Sequence, residues 1–306
     1  MSWASNRRRL PAVNPRGAEL AGRGVGRIGF GAMQLPGRGV FGPPRDRGEA
    51  LAVLRRAVEL GVNHIDTAQY YGPDVSNELI HAALHPYPED LVLVSKVGGA
   101  RDAEGGWVAA QEPADLRRGV EDNLRSLEIE RLDVVNLRLM GDHAAPGDPV
   151  VGLADQLAEL ADLRAEGKIG GIGLSSVTLD QLDAGLAVTE IACVQNPMSL
   201  LAQEDQPTLD RCREQGIPYV PFFPLGSGFP GARHVTDDPV VRAVADRLEV
   251  SASQVGLAWL LQHAENILLI PGTSSVAHLE ENVAAGEVEL DADALEALAA
   301  VGRGGA

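Results

Sequence analysis

The chain has 306 residues, of which 45% are hydrophobic and 23% charged, a composition typical of a globular protein. No apolar run reaches the ~20 residues that a membrane-spanning helix needs, so we expect a soluble protein that does not bind a membrane. The formal net charge of −17 argues against a nucleic-acid partner, because a polyphosphate would be repelled.

The N-terminal segment contains three consecutive arginines, at 7–9, but no apolar stretch follows them. A secretory signal needs such a stretch, so we expect residues 1–20 to form a loosely ordered tail and the protein to be cytoplasmic. The next motif, GVGRIG at 24–29, matches the G-x-G-x-x-G fingerprint of an open dinucleotide-binding fold. That fingerprint needs a helix directly after it, whereas the residues that follow are rich in Gly and Pro, so this fold is disfavoured.

From residue 27 onward, short apolar runs typical of buried strands alternate with amphipathic helical stretches. The predicted strands are 27–33, 62–66, 91–96, 132–138, 169–176, 191–196, 217–223 and 266–272. The predicted helices are 48–61, 74–84, 113–127, 155–168, 178–188, 208–216, 237–248 and 252–263. Strands that are apolar on both faces and separated by helices indicate a parallel sheet covered on both sides. Eight such units predict an α/β fold, a (β/α)₈ TIM barrel, with residues 1–306 in a single domain.

Polar residues follow several of the predicted strands, and active sites in barrels of this type lie at the carboxyl ends of the strands. The second strand ends in Asp66, the third ends in Lys96, and Tyr71 follows Asp66 by five residues. Taken singly, Asp66 could equally cap a helix and Lys96 could be an ordinary polar strand end. Together they form a proton-donating unit, since a lysine ammonium lowers the pKa of a neighbouring tyrosine from ~10 and an aspartate holds that lysine in place. Two Gly-rich segments, 97–112 and 224–236, are predicted to be long loops on the same face.

Two cysteines, Cys193 and Cys212, are too few for a disulfide framework, and no Cys/His spacing of the zinc type surrounds them. We therefore predict that both are packing residues and that the protein has no metal site. An anionic ligand would need a local positive pocket made of backbone amides, helix N-termini or a few basic side chains.

The motifs GVNHIDTAQYYG, LVLVSK and IPGTSSVAHLEEN resemble those of the aldo-keto reductase superfamily, and the likeness runs from about residue 26 to about residue 300. The resemblance implies a barrel with an N-terminal hairpin at its bottom and extra C-terminal helices. It also implies hydride transfer from a nicotinamide to an aldehyde or ketone without a metal. Tyr71 would be the general acid, Lys96 its activator and Asp66 the partner of Lys96.

The same resemblance implies which residues bind the nicotinamide cofactor. They are Gly31, Ala32, Met33, Ser175, Ser176, Gln195, Phe222, Leu225, Ser227, Gly272, Thr273, Ser274, His278, Glu281 and Asn282. In the segment that meets the 2′-phosphate, Gly272 replaces the usual Lys and His278 the usual Arg. The hydroxyls of Thr273, Ser274 and Ser275, the amides opening the next helix and His278 remain as phosphate donors, so NADPH is favoured, with NADH as the alternative.

The predicted strand RLDVVNLRLM carries an arginine, Arg138, two positions after Asn136. The pattern alone favours a solvated residue just after the end of the strand. Most aldo-keto reductases have a His here beside the carbonyl, so the resemblance implies that Arg138 contacts the substrate. A guanidinium has only donors and does not deprotonate, so Arg138 is expected to stabilise negative charge and leave Tyr71 as the acid.

Longer stretches, among them GAMQLPGRGVFGPPRDR and YVPFFPLG, resemble the bacterial pyridoxal reductase (pyridoxine 4-dehydrogenase) branch of the superfamily. This likeness implies the reduction of the small aldehyde pyridoxal to pyridoxine with NADPH. Candidates for the apolar pocket wall, each with core packing as the alternative, are Met33, Phe41, Tyr70, Trp107 and Met198. Other functions stay open: reduction of another aromatic aldehyde, a keto-sugar or a natural-product ketone, and a non-catalytic regulatory subunit that binds the cofactor.

Overall fold

The computed structural model of the chain describes residues 17–141, 151–226 and 233–301. In chain order the strands are β1 (Ala18–Leu20), β2 (Arg23–Val25), β3 (Phe30–Gly31), β4 (His64–Asp66), β5 (Val92–Arg101), β6 (Trp107–Ala110), β7 (Leu132–Arg138), β8 (Ile169–Ser175) and β9 (Val194–Gln195). The α-helices are α1 (Arg47–Glu59), α2 (Val75–Leu84), α3 (Pro113–Leu127), α4 (Leu153–Ala165), α5 (Leu179–Leu186), α6 (Gln206–Glu214), α7 (Pro239–Leu248), α8 (Ala252–His263), α9 (Val276–Ala284) and α10 (Ala292–Val301).

The parallel strands form a closed ring. β3, β4, β5, β7, β8 and β9 pair as neighbours in that order. Two further segments complete the ring, because Tyr219 bridges Val194 on one side and Ile267 on the other. Leu269 then bridges Ile28, and its carbonyl accepts a 2.7 Å hydrogen bond from the amide of Gly29. The predicted (β/α)₈ barrel is therefore confirmed.

The N-terminal hairpin closes the end of the barrel where the strands begin. β1 and β2 pair antiparallel, and the two residues that connect them, Ala21 and Gly22, have φ values of 47° and 78°. Two positive φ angles in a row are what a two-residue hairpin turn requires. Leu20 and Val25 share a buried cluster with inward-facing residues of the barrel strands. The hairpin implied by the family resemblance is thus confirmed, and residues 18–20 belong to a strand rather than to the predicted tail.

Helices cover the outside of the ring and follow the sequence prediction closely. α3 and α8 have the predicted bounds, 113–127 and 252–263. α5 and α8 each begin with a capping box. The hydroxyl of Thr178 or Ser251 accepts from the backbone amide of the Gln three residues later, and the side chain of that Gln accepts from the backbone amide of Thr178 or Ser251. α10 follows the barrel as the implied extra C-terminal helix. No α-helix within the described ranges is both long and apolar enough to cross a membrane, and the cellular location stays a prediction.

Four predicted segments differ from the structure. Residues 217–223 and 266–272 join the ring only through isolated bridges. In 217–223, Pro218 and Pro221 have no amide hydrogen to donate to a ladder. The predicted loop 97–112 is wrong: β5 continues to Arg101 and turns back to pair antiparallel with β6. In the predicted loop 224–236, residues 227–232 lie outside the described residues and Val235–Asp237 forms a 3₁₀ helix.

Candidate active site

A cleft of about 480 Å³ opens at the carboxyl ends of the barrel strands. Thirteen of the predicted site residues line it: Gly31, Met33, Asp66, Tyr70, Tyr71, Lys96, Trp107, Arg138, Gln195, Phe222, Leu225, Gly272 and Asn282. They are far apart in the sequence and meet because parallel strands end at the same edge of a barrel.

Three buried side chains form the floor of the cleft. Asp66 ends β4, and one of its carboxylate oxygens pairs with the ammonium of Lys96 on β5. Its other oxygen accepts a 2.9 Å hydrogen bond from the side-chain amide of Gln195 on β9. The Lys96 ammonium also donates to the Thr67 carbonyl at 3.1 Å. Both charges are therefore compensated, which a buried ion pair requires.

Tyr71 lies beside this ion pair, with its ring centroid 5.0 Å from the Lys96 ammonium nitrogen. Burial raises the pKa of the Tyr71 phenol, and the negative charge of Asp66 raises it further. The guanidinium groups of Arg138 and Arg101 act in the opposite direction. The expectation of a net lowered pKa is wrong, because desolvation of the phenolate outweighs the neighbouring positive charges. Tyr71 consequently holds its proton at neutral pH and can donate it.

Arg138 is the last residue of β7 and pairs in register with Ser175 of β8. Its guanidinium donates a hydrogen bond to the Ser176 hydroxyl, and its central carbon lies 5.3 Å from the ring centroid of Phe222. β7 can approach β5 closely because Gly98 of β5 has no side chain. Its φ is +98°, and a Cβ there would lie 2.4 Å from the Arg138 carbonyl oxygen. The strand pattern alone favoured a solvated residue beyond the strand at this position. That prediction is wrong, since Arg138 lines the cleft from within a strand.

An aromatic wall stands on one side of the floor. The ring centroids of Tyr70 and Tyr71 are 5.5 Å apart, and Trp107 of β6 lies 5.6 Å from Tyr70 and 6.4 Å from Tyr71. All three pairs are edge-to-face, the arrangement that the ring quadrupoles favour. Tyr70 and Trp107 therefore lie where the sequence predicts pocket residues.

The other predicted pocket residues have different surroundings. Met198 is 1% exposed and packs in the main hydrophobic core. The structure therefore supports the alternative that Met198 is a core residue. Phe41 is 38% exposed and packs against Gly105 of the β5–β6 turn. Cys193 and Cys212 are buried thiols, in agreement with their prediction as packing residues.

Seven of the fifteen predicted cofactor residues line the cleft: Gly31, Met33, Gln195, Phe222, Leu225, Gly272 and Asn282. Ser175 and Gln195 are buried, and their side-chain oxygens have no hydrogen-bond partner among the described residues. Ala32 is buried behind the lining and Ser176 is bonded to Arg138. Ser274, His278 and Glu281 are exposed along the same C-terminal segment, whereas Ser227 lies outside the described residues.

Two of the amides that open α9 are already bonded within the protein. The Thr273 hydroxyl accepts from the amide of Ser275 at 3.1 Å, and the carboxylate of Glu49 accepts from the amide of Val276 at 3.0 Å. The sequence reasoning counted these amides as phosphate donors. The side chains of Ser274 and His278 are the exposed donors that remain from that prediction.

Sequence reasoning missed several lining residues: Gln34, Met140, Phe223, Pro224, Gly226, Ile270 and Pro271. Met140 carried a usable signal, because it is two positions beyond Arg138 and so lies on the same side of an extended chain. The rest adjoin predicted residues in the segments that follow strands.

Residues 27–303 match the sequence profile of the Aldo/keto reductase family. The chain belongs to the aldo/keto reductase family. The chain is 47% identical over 285 residues to pyridoxine 4-dehydrogenase of Escherichia coli strain K12, and the match covers 93% of this chain and 97% of that one. An aldo/keto reductase from Klebsiella pneumoniae solved with NADP and acetate has the same fold, with a TM-score of 0.76 and 24% identity over 92% of this chain and 94% of that one. A thermostable aldo-keto reductase solved with the inhibitor epalrestat has a TM-score of 0.77 and 26% identity, over 93% of this chain and 99% of that one.

Membership of the aldo/keto reductase family makes this chain an oxidoreductase. An enzyme is thereby favoured over the regulatory subunit that the sequence had left open. In this aldo/keto reductase the ion pair of Asp66 and Lys96, the protonated Tyr71 and the guanidinium of Arg138 all face one cleft. The cleft therefore combines a phenol that can donate a proton with two positively charged side chains, of which Lys96 is paired with a carboxylate.

Proposed function

We propose that this aldo/keto reductase reduces an aromatic aldehyde with NADPH, and that the aldehyde is pyridoxal, which becomes pyridoxine. The observation that carries the proposal is the position of Arg138 in an aromatic cleft beside Tyr71. The 47% identity to a pyridoxine 4-dehydrogenase over 93% of the chain supports the same substrate.

The orphaned oxygens of Ser175 and Gln195 fit a nicotinamide. A carboxamide has one acceptor oxygen and two amide hydrogens, so it can accept from the Ser175 hydroxyl and donate to the Gln195 side-chain oxygen. Buried polar atoms without a partner are rare in proteins and cost ~1–3 kcal/mol each, which binding of such a group would remove. Phe222 lies in the same part of the cleft and would stack on the nicotinamide ring.

Tyr71, the ion pair of the floor and Arg138 then have separate roles in the reduction. When bound, NADPH would supply the hydride. Tyr71 gives its proton to the oxygen of the aldehyde. The Lys96 ammonium stabilises the phenolate that this step leaves, while Asp66 keeps the ammonium charged and oriented. Arg138 donates hydrogen bonds to the same oxygen and stabilises its developing negative charge.

Pyridoxal suits an arginine at this position for a chemical reason. Its aldehyde lies next to a ring hydroxyl that ionises readily, and the fork of a guanidinium can bind two neighbouring oxygens at once. A histidine at the same place would offer a single donor. The proposal therefore assigns Arg138 to the recognition of the phenolate as well as the carbonyl.

A substrate screen tests the proposed function. Oxidation of NADPH would be followed by absorbance with pyridoxal, benzaldehyde and a keto-sugar, and then with NADH in place of NADPH. We expect the highest kcat/KM for pyridoxal with NADPH. A higher kcat/KM for the keto-sugar or for benzaldehyde would contradict the substrate, and an equal or better efficiency with NADH would contradict the cofactor preference.

The substitution Arg138→His separates the substrate role from general catalysis. We expect a loss of about tenfold or more in kcat/KM for pyridoxal and a smaller loss for benzaldehyde, because only pyridoxal presents the second oxygen. Arg125→His is the matched control, since the Arg125 side chain is 68% exposed on α3. Equal losses with both aldehydes would defeat the role assigned to Arg138.

A further inference from the structure

The β5–β6 hairpin is built as a rigid unit at the rim of the cleft. Arg101 and Trp107 are the last paired residues before its turn. One carboxylate oxygen of Asp102 accepts from the amides of Glu104, at 3.0 Å, and Gly106, at 2.6 Å. The turn residue Gly105 has a φ of +83°, and the ring of Phe41 packs against it.

Arg101 connects this hairpin to two other segments. Its four carbonyl acceptors are those of Gly105 at 2.7 Å, Val40 at 2.9 Å, Gly39 at 3.1 Å and Tyr70 at 3.3 Å. The central carbon of the same guanidinium lies 3.3 Å from the ring centroid of Trp107, a cation–π contact. One side chain thus holds the hairpin, the loop around residue 40 and the segment of Tyr70 together.

The partners of Arg101 indicate that it determines shape. Among the described residues, no carboxylate lies within ion-pair distance of its guanidinium, and every hydrogen bond that it donates goes to a backbone carbonyl. Burial lowers the pKa of Arg101, but an arginine stays charged at any working pH. The planar fork of donors matches carbonyls that converge from several directions, which a single ammonium cannot do.

We infer that Arg101 is a positioning residue for substrate selection, which holds Trp107 nearly perpendicular to Tyr70 and Tyr71 and so sets the width of the cleft for a planar ring. The ring of Trp107 stands nearly perpendicular to the rings of Tyr70 and Tyr71, and the guanidinium of Arg101 covers one of its faces. Loss of the guanidinium frees one face of the indole. An aromatic aldehyde then loses a fixed wall, whereas a small aliphatic aldehyde that does not reach the wall is affected much less.

The kinetic test compares Arg101→Met, Arg101→Lys and the exposed control Arg125→Met. We expect Arg101→Met to raise the KM for benzaldehyde ~10-fold or more, while the kcat/KM for propanal changes by less than about threefold and the Kd for NADPH is unchanged. Arg101→Lys keeps the charge but loses the fork, so it should recover only part of the affinity for benzaldehyde. Equal losses for both aldehydes, or no loss for either, would overturn the inference.

The inference rests on the proposed reduction of aromatic aldehydes, so a second readout is independent of activity. The chain has three tryptophans, and in a Trp3→Phe, Trp259→Phe background the fluorescence reports on Trp107 alone. We expect Arg101→Met to increase quenching of that fluorescence by acrylamide, with Arg101→Lys intermediate. If no aldehyde were reduced but the quenching rose as expected, the proposed function would fail and the positioning role would stand. Unchanged quenching in Arg101→Met would refute the positioning role.

Discussion

The floor and the wall of the cleft are held in different ways. Asp66, Lys96 and Gln195 of the floor come from three barrel strands and bond mainly to one another through their side chains. Trp107 of the wall lies outside the barrel, on a hairpin that Arg101 secures by donating to backbone carbonyls. Barrel strands therefore position the ion pair beside Tyr71, and side-chain bonds to the backbone position the aromatic wall. Substitutions in the floor should lower kcat, whereas substitutions in the wall should raise the KM for aromatic aldehydes.

The largest expected effect is at the centre of the floor. Lys96→Met should lower kcat by ~10³-fold or more, because it removes the charge that stabilises the Tyr71 phenolate. It also leaves the Asp66 carboxylate buried without its ion, which should lower the free energy of unfolding by ~3–5 kcal/mol. Steady-state kinetics and urea unfolding measure the two effects. Lys168→Met is the control, since Lys168 pairs with Glu121 at the surface, and a kcat of Lys96→Met within threefold of the control would contradict the role of the floor.

The next largest effect is on stability at high pH. Burial raises the pKa of Tyr70 and of Tyr71, so the unfolded chain releases these protons before the folded protein does. Their contribution to stability is fully present below the ordinary tyrosine pKa of ~10 and is lost as pH rises towards the folded values. The free energy of unfolding should fall by up to ~1.4 kcal/mol per pH unit for each phenol above that point. Urea titrations from pH 8 to pH 11 measure this slope.

Single substitutions divide the pH slope between the two phenols. Tyr70→Phe should remove the contribution of Tyr70 and leave kcat unchanged, whereas Tyr71→Phe should remove that of Tyr71 and abolish reduction. An unchanged slope in both variants would show that neither phenol is held protonated by the fold. Intact reductase activity in Tyr71→Phe would assign the proton to another group.

A smaller effect is expected where the floor meets the proposed cofactor. Gln195→Leu removes both the donor to Asp66 and the oxygen offered to the carboxamide. We expect the Kd for NADPH to rise ~10-fold, as for the loss of a hydrogen bond of about 1.5 kcal/mol. Binding by fluorescence titration checks this, with the exposed Gln215→Leu as the control. A Kd equal to that of the control would remove Gln195 from the cofactor site.

The smallest effect is expected in a third region, away from both floor and wall. Glu49 places a carboxylate at the start of α9, near the residues expected to meet the 2′-phosphate. Glu49→Gln should tighten NADPH about threefold and leave NADH unchanged, because only NADPH carries the phosphate that the carboxylate repels. Kd values for both nucleotides at low and high salt measure the effect. Tightening of both nucleotides to the same degree would exclude a phosphate-specific cause.

The sequence alone predicted the reacting groups well because their signals are local. Asp66 and Lys96 each end a short apolar run in the sequence, and the carboxyl ends of parallel strands meet at one edge of a barrel. It did not predict the net direction of the Tyr71 pKa, because the degree of burial depends on Trp107 and Tyr70 packing around the phenol. Nor did it separate Met198 in the core from Trp107 in the cleft, since both are apolar residues near strand ends.

The amino-acid sequence by itself determined the barrel, the family and the chemistry at the strand ends, because hydrophobic periodicity and short motifs report on local structure. Only the tertiary structure decided the shape of the cleft. The acceptors of Arg101 are backbone carbonyls as far as 62 residues away along the chain, and every residue has such a carbonyl. A bond to the backbone leaves no mark in the sequence of the acceptor, so the position of Trp107 follows from folding alone.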